Sequence, residues 1–287
     1  MKKIVATMIC GLLMMQPCIP VFAVEAGQEA ITDEAIIQSG LTMNDIQEAG
    51  RYYKAISESG EADSFETEYR FALAAAAMGS GDAMLWLGEL YQGDKVEAAH
   101  EDNDAVATAV EWWTKAYENG QPRGYDNIGL LYQHQSVPGG GDAYGSIPLD
   151  NEKALSYFID ASDAGDTKAP RHAALCYLEG VGVEVNKEKA IEYFKLASER
   201  GDSTGTVYYA DFLLTGDGVE QDVDAAIALY QGIVDTNGHD LGTCAYKLGV
   251  IYDEGNFTDA DKDKAIEYYQ LAIENGNQDA QNALDAM

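Results

Sequence analysis

One pattern recurs along the chain and constrains the fold more than any other feature: Ala-x-x-aromatic-aromatic-x-x-Ala-x-x-x-Gly. It is met at Ala109, Trp112, Trp113, Ala116, Gly120; at Ala154, Tyr157, Phe158, Ala161, Gly165; at Ala190, Tyr193, Phe194, Ala197, Gly201; and at Ala265, Tyr268, Tyr269, Ala272, Gly276. A weaker copy runs Ala226, Leu229, Tyr230, Ile233, with its glycine displaced one place to Gly238. Closing glycines at 165, 201, 238 and 276 are separated by 36, 37 and 38 residues, a solenoid period. Between these endings a small residue recurs three places before an aromatic or leucine: Gly88 before Tyr91, Gly129 before Tyr132, Ala174 before Tyr177, Ala210 before Leu213, Gly249 before Tyr252. Spacings of three, four and seven put each set on one face of a helix, so each repeat reads as a helical hairpin.

The residue types fit that reading. A Gly or Ala at a fixed point of the first helix lets its neighbour approach closely, while the paired aromatics of the second fill the space between hairpins. The second helix ends at Asn119-Gly120, Ala164-Gly165, Arg200-Gly201 or Asn275-Gly276, where glycine can turn left-handed. It is expected to begin near Asn151, Asn186, Asp222 and Asp261, whose side chains can accept from free amides of the first turn.

The stretches Gly180-Val181-Gly182-Val183 through Lys189-Ala190-Ile191-Glu192-Tyr193-Phe194, and Gly216-Asp217-Gly218-Val219 through Ala225-Ala226-Ile227-Ala228-Leu229-Tyr230, resemble the core of Sel-1-like repeats, relatives of the tetratricopeptide repeat. The resemblance covers residues 65–287, in about five units. It implies an all-α fold, a right-handed α-solenoid of antiparallel helical hairpins, acting as a scaffold that gathers or binds other proteins.

Residues 1–23 read as a secretory signal: Lys2 and Lys3 form a positive start, Ile4 to Met15 is almost wholly apolar, and Val21-Phe22-Ala23 offers a cleavage site, with Ala26 as the alternative. Gln16, Pro17 and Pro20 break the apolar stretch before it reaches spanning length, and no later segment is apolar for long enough. The expected location is therefore secreted or cell-envelope associated, extracellular or periplasmic according to the bacterial source. Cys10 and Cys18 leave with the signal, and Pro17 before Cys18 does not suit a lipid anchor. Cys176 and Cys244 fall in non-adjacent repeats and are expected to be buried thiols. Residues 24–64 are less regular and read as an N-terminal helical cap, with a further helix from Phe65 to Met78; Asn277 to Met287 reads as a capping helix.

Charge narrows the partners. Forty-nine Asp and Glu against 18 Lys and Arg give a net charge of −31, which repels phosphate backbones and anionic membranes. Nucleic acid is excluded, and the expected partner is a basic or neutral protein or peptide on the concave face built by the first helices. Two insertions interrupt the repeats, Asp94 to Asp104 and Ser136 to Pro148. A scaffold fixes the roots of such loops, so the second is a candidate recognition element, with Pro138, Asp142, Tyr144 and Ile147 as its candidate contacts.

No constellation carries chemistry. There is no Ser-x-x-Lys, Gly-x-Ser-x-Gly, His-Glu-x-x-His or Cys-x-x-Cys. His100, His134, His172 and His239 are scattered and read as surface or loop residues. Asp259, Asp261 and Asp263 resemble the start of a calcium loop, but Lys264 stands where glycine must turn the chain, so they read as carboxylates at a helix start. Trp112-Trp113 occupies the column held elsewhere by Tyr157-Phe158 and reads as core. The expectation is a non-catalytic scaffold without cofactor or metal. The alternative is an envelope hydrolase of the β-lactamase-like or penicillin-binding type, or a cell-wall glycan binder; some secreted, cysteine-rich members of the family have been regarded so, but this chain lacks their cysteine pair in each repeat.

Overall fold

The computed structural model describes residues 7–8, 20–21, 37, 42–44, 64–93, 105–134 and 147–287. Among residues 1–23 the described part is a two-residue antiparallel ladder, Thr7–Met8 beside Pro20–Val21. The chain falls into two compact units, residues 1–149 and 150–287. The first contains α1 (Ser64–Ala77), α2 (Gly81–Gln92), α3 (Ala105–Glu118) and α4 (Arg123–His134). The second contains α5 (Asn151–Asp163), α6 (Ala169–Glu179), α7 (Lys187–Glu199), α8 (Ser203–Thr215), α9 (Val223–Asp235), α10 (Leu241–Glu254), α11 (Lys262–Glu274) and α12 (Asp279–Ala286). Within each unit every helix packs on the one before it, and in the second unit α6 also touches α8 and α10 touches α12. In these two places first helices of successive hairpins lie side by side, as a helical solenoid requires.

The turn that leaves each second helix is one device repeated. Gly79, Gly120, Gly165, Gly201 and Gly276 take positive φ, from 82° to 99°, and the next residue sends its N–H back to a carbonyl five positions earlier. Asp166 donates to Ala161 at 2.9 Å, Asp202 to Ala197 at 3.0 Å and Asn277 to Ala272 at 2.9 Å. This satisfies carbonyls the helix leaves without partners. In the weak copy the left-handed position is held by Asn237, φ 56°, and Gly238 is the residue that bonds back to Ile233. The displaced glycine of the sequence is therefore a correct register with asparagine at the turn, one of the few residues that tolerate it. Gly79 closes α1 in the same way, so α1 ends as a second helix does, although its sequence lacks the paired aromatics.

The residue after the turn then caps the next helix. Asp202 accepts from Gly205 N at 2.6 Å, Asp166 from Ala169 N at 2.7 Å and Ser80 from Ala83 N at 3.2 Å. At the starts of second helices, Asn186, Asp222 and Asp261 accept from the amide three places on. The expected cap Asn151 is instead the first helical residue; Asp150 does the capping, accepting from Lys153 N at 3.0 Å. Each of these caps contributes about 1 kcal/mol.

The two aromatics of a pair have different surroundings. The second, Trp113, Phe158, Phe194, Tyr230 or Tyr269, is at most 1% exposed and fills its hairpin. The first is half-buried, and in two repeats it stacks on a tyrosine of the first helix: Tyr193 on Tyr177 and Tyr268 on Tyr252, each at 5.8 Å. Lys189 and Lys264 lie 4.8 Å from the Tyr177 and Tyr252 ring centres. The small residues do what their spacing implies. A Cβ on Gly88 would stand 2.3 Å from Trp113 Nε1, and one on Gly249 2.6 Å from the Tyr269 ring.

Gly232 in α9 is the opposite case. It is exposed, inside a helix, and a Cβ there meets nothing within 4 Å. Gly232→Ala should stabilise the protein by about 0.5–1 kcal/mol by removing backbone freedom from the unfolded chain, seen as a raised urea midpoint at unchanged slope.

Candidate partner-binding surface

The side of the second unit formed by its first helices is set by the register of the small residues. One place after them stand Leu175, Asp211 and Val250; four places after, Leu178, Leu214 and Asp253. Positions one and four beyond a buried residue share a helical face, and all six are half-buried. Asp211 and Lys247 bridge α8 to α10, with Lys247 Nζ 2.8 Å and 3.0 Å from the two carboxylate oxygens. From below, the Tyr230 hydroxyl donates to Asp211 Oδ1 at 2.5 Å. Burial, then the adjacent Asp211 charge, pushes the Tyr230 hydroxyl far above its ordinary value, so it remains a donor. Arg171 of α6 pairs with Asp202 at 3.0 Å, and Asp253 of α10 with Lys262.

Sequence reasoning did not single out Asp211 or Lys247, and it read Tyr230 only as a member of the weak repeat copy. The signal was present, since Asp211 is a charged residue at a register position held by Leu175 and Val250 in the flanking repeats. Of the loop residues it did single out, Pro138, Asp142 and Tyr144 lie outside the described residues, as does the insertion from Asp94 to Asp104. Ile147 is described and half-buried.

Other expectations resolve residue by residue. Trp113 is fully buried and donates from Nε1 to Leu85 O at 3.2 Å, while Trp112 is half-buried beneath Lys115, so the pair is packing. His172 is a correction: it is a buried residue of α6, its ring 5.1 Å from Phe158, because it stands in the column that Tyr208 fills against Phe194 one repeat later. His239 is exposed beside Asp240, and His100 lies outside the described residues. Asp261 is the cap of α11. Among the described residues no group of three or more His, Cys, Asp and Glu could hold a metal ion, and no helix is long and apolar enough to cross a membrane.

Cys176 and Cys244 are both buried, and no disulfide joins them. Burial, followed by the neighbouring Asp240 charge, pushes the Cys244 thiol up to about 12 from its usual 9.0. A raised thiol pKa favours the neutral form in the fold, so its contribution to stability is intact below pH 9.0 and is lost as pH rises toward about 12. Cys244 should therefore react with Ellman's reagent about a thousandfold more slowly in the native protein than in urea at mildly alkaline pH.

These arrangements match known proteins. The Sel1 repeat model matches residues 81–121, 139–166, 171–202, 205–231 and 243–277. No curated protein matches the sequence. Among solved structures, a protective antigen of uropathogenic Escherichia coli strains displaying an SLR fold is 23% identical with a TM-score of 0.67; the alignment covers 88% of this chain and 50% of that one, so the chain spans half its length. A Sel1 repeat protein from Oxalobacter formigenes is 21% identical with a TM-score of 0.65, covering 85% of this chain and 94% of that one. At these identities the likeness is one of fold, and proteins built from Sel1 repeats are in general protein-interaction scaffolds. With more than half of its length matched by the repeat model, in register with the turns and aromatic columns described above, this chain belongs to the Sel1 repeat family.

Proposed function

We propose that this protein is a non-catalytic interaction scaffold, exported to the cell envelope or exterior, that holds a protein or peptide on the first-helix side of its repeats. The observation that supports this most is the half-buried register positions of α6, α8 and α10, which carry Leu175, Leu178, Leu214 and Val250 beside the Asp211–Lys247 pair. Half-buried apolar side chains on a rigid frame gain by being covered, and the frame loses little entropy in doing so. Export follows from the apolar leader and its Val21-Phe22-Ala23 site.

The test is a photo-crosslinking amino acid placed at Leu175 or at Glu192, an exposed residue of the second helix α7. Expression in the native host followed by irradiation should give discrete protein adducts from position 175 and none from 192. Adducts from 192 alone, or from neither position, would overturn the reading. Cell fractionation checks export, with the mature N-terminus expected at Val24.

A further inference from the structure

The net charge of −31 suggests a preference for basic partners. Across α6, α8 and α10 that excess is smaller. Three ion pairs neutralise charges there: Arg171 with Asp202, Lys247 with Asp211, and Asp253 with Lys262. Exposed acids are instead prominent on the second helices, such as Glu188 and Glu192 on α7 and Asp263 and Glu267 on α11. On α6, α8 and α10 the further acids, Glu179 and Glu254, are at C-terminal ends, and α12 adds Asp279 and Asp285 beyond this surface.

Resting on the scaffold reading above, we propose that the surface across α6, α8 and α10 selects an uncharged, extended peptide segment with apolar side chains. Its apolar groups would cover Leu175 and Leu178 at one end and Leu214 and Val250 at the other. Its main chain would hydrogen-bond to the Asp211–Lys247 pair between them. The complementarity is one of matched neutrality. A lysine or arginine of the partner, brought against the middle of this face, would shed part of its hydration and find Asp211 and Asp253 each already neutralised by a lysine, and such an uncompensated charge is costly. An amide loses little, because Asp211 Oδ2 accepts only from Lys247, at 3.0 Å, and keeps a lone pair. Asp211 is 39% exposed and Lys247 31%, so the pair is open to a ligand.

The experiment uses the mature full-length chain and three panels of fluorescein-labelled peptides of about 12 residues, long enough when extended to cross three adjacent helices. The neutral panel is built from Leu, Val, Ser, Gly and Asn; the basic and acidic panels replace two serines by lysine or by aspartate. Binding is followed by fluorescence anisotropy. The tightest binders should come from the neutral panel, with Kd changing by less than about twofold between low and high salt. The double variant Leu175→Asp with Leu214→Asp should weaken them by about tenfold or more, while Glu192→Lys leaves them unchanged. Both variants must retain the wild-type helical circular dichroism; should the double variant lose it, Leu175→Ser with Leu214→Ser replaces it. A preference for the basic panel with steep salt dependence, or neutral binding indifferent to the leucine changes, would overturn this inference and leave the scaffold reading standing. No binding from any panel, while crosslinks still form at position 175, would also overturn it, by showing that the partner is not read as a linear segment. Loss of those crosslinks is the result that removes the scaffold reading itself.

Discussion

Gly182→Ala is expected to cost about 3 kcal/mol of stability. Two separate penalties meet there. Gly182 has φ 73°, in the left-handed region. Its loop also lies on the start of α5, so that a Cβ would sit 2.2 Å from Asn151 O and 2.7 Å from Glu152 N. Those are backbone atoms and cannot swing aside. Gly201→Ala is the control, because Gly201 has a similar φ of 84° but nothing within 4 Å of an added Cβ. It should lose only the conformational part, about 1 kcal/mol. Urea unfolding followed by helical circular dichroism measures both. Equal costs would mean that the loop after α6 does not bear on α5.

Asp202→Ala is the second large effect, expected at about 3 kcal/mol. Asp202 is 7% exposed and does two things with one carboxylate: it caps α8 through Gly205 N and pairs with Arg171 Nε of the preceding first helix. Removing it uncaps a helix and leaves Arg171, itself only 19% exposed, facing a neutral methyl. Asp202→Asn separates the two roles. It keeps an oxygen for the cap but not the charge, so it should lose about half as much. The same urea titration reads both variants, and an alanine variant as stable as the asparagine one would show that the cap contributes nothing.

The fold was legible because a repeat restates its packing rules several times. Gly88 and Gly249 announced close approach by standing three places before a tyrosine, and the structure puts Trp113 and Tyr269 against them. Even the irregular copy obeyed the rule, once Asn237 is recognised as the left-handed residue. What sequence spacing could not separate was the two members of each aromatic pair, since Tyr157 and Phe158, or Tyr268 and Tyr269, sit on nearly the same face. Which one is buried depends on where the neighbouring helix lies. His172 misled for a related reason: its column holds Tyr208 in one neighbouring repeat but polar Asn127 in the other, so it looks like surface until Phe158 is seen beside its ring.

The site was legible only in part. Leu175, Leu178, Leu214 and Val250 follow from the register of the small residues, but the pairing of charges does not. Arg171 meets Asp202 31 residues away, and Lys247 meets Asp211 36 residues away, about one repeat in each case. Net charge sums over the whole chain and hides such local cancellation. The sequence therefore points to the first-helix face as a whole and to the insertion from Ser136 to Pro148, but not to Asp211 and Lys247 within that face.

The central claim is that the first-helix side holds the partner. Calorimetry of the partner identified by crosslinking tests it most directly, with wild type, the Leu175→Asp/Leu214→Asp variant and a second-helix variant, Glu192→Lys/Glu267→Lys. The account predicts a loss of affinity of about tenfold or more for the first variant and less than about twofold for the second. The reverse order, with binding abolished by the charge reversals on α7 and α11 and untouched by the leucine changes, would contradict it.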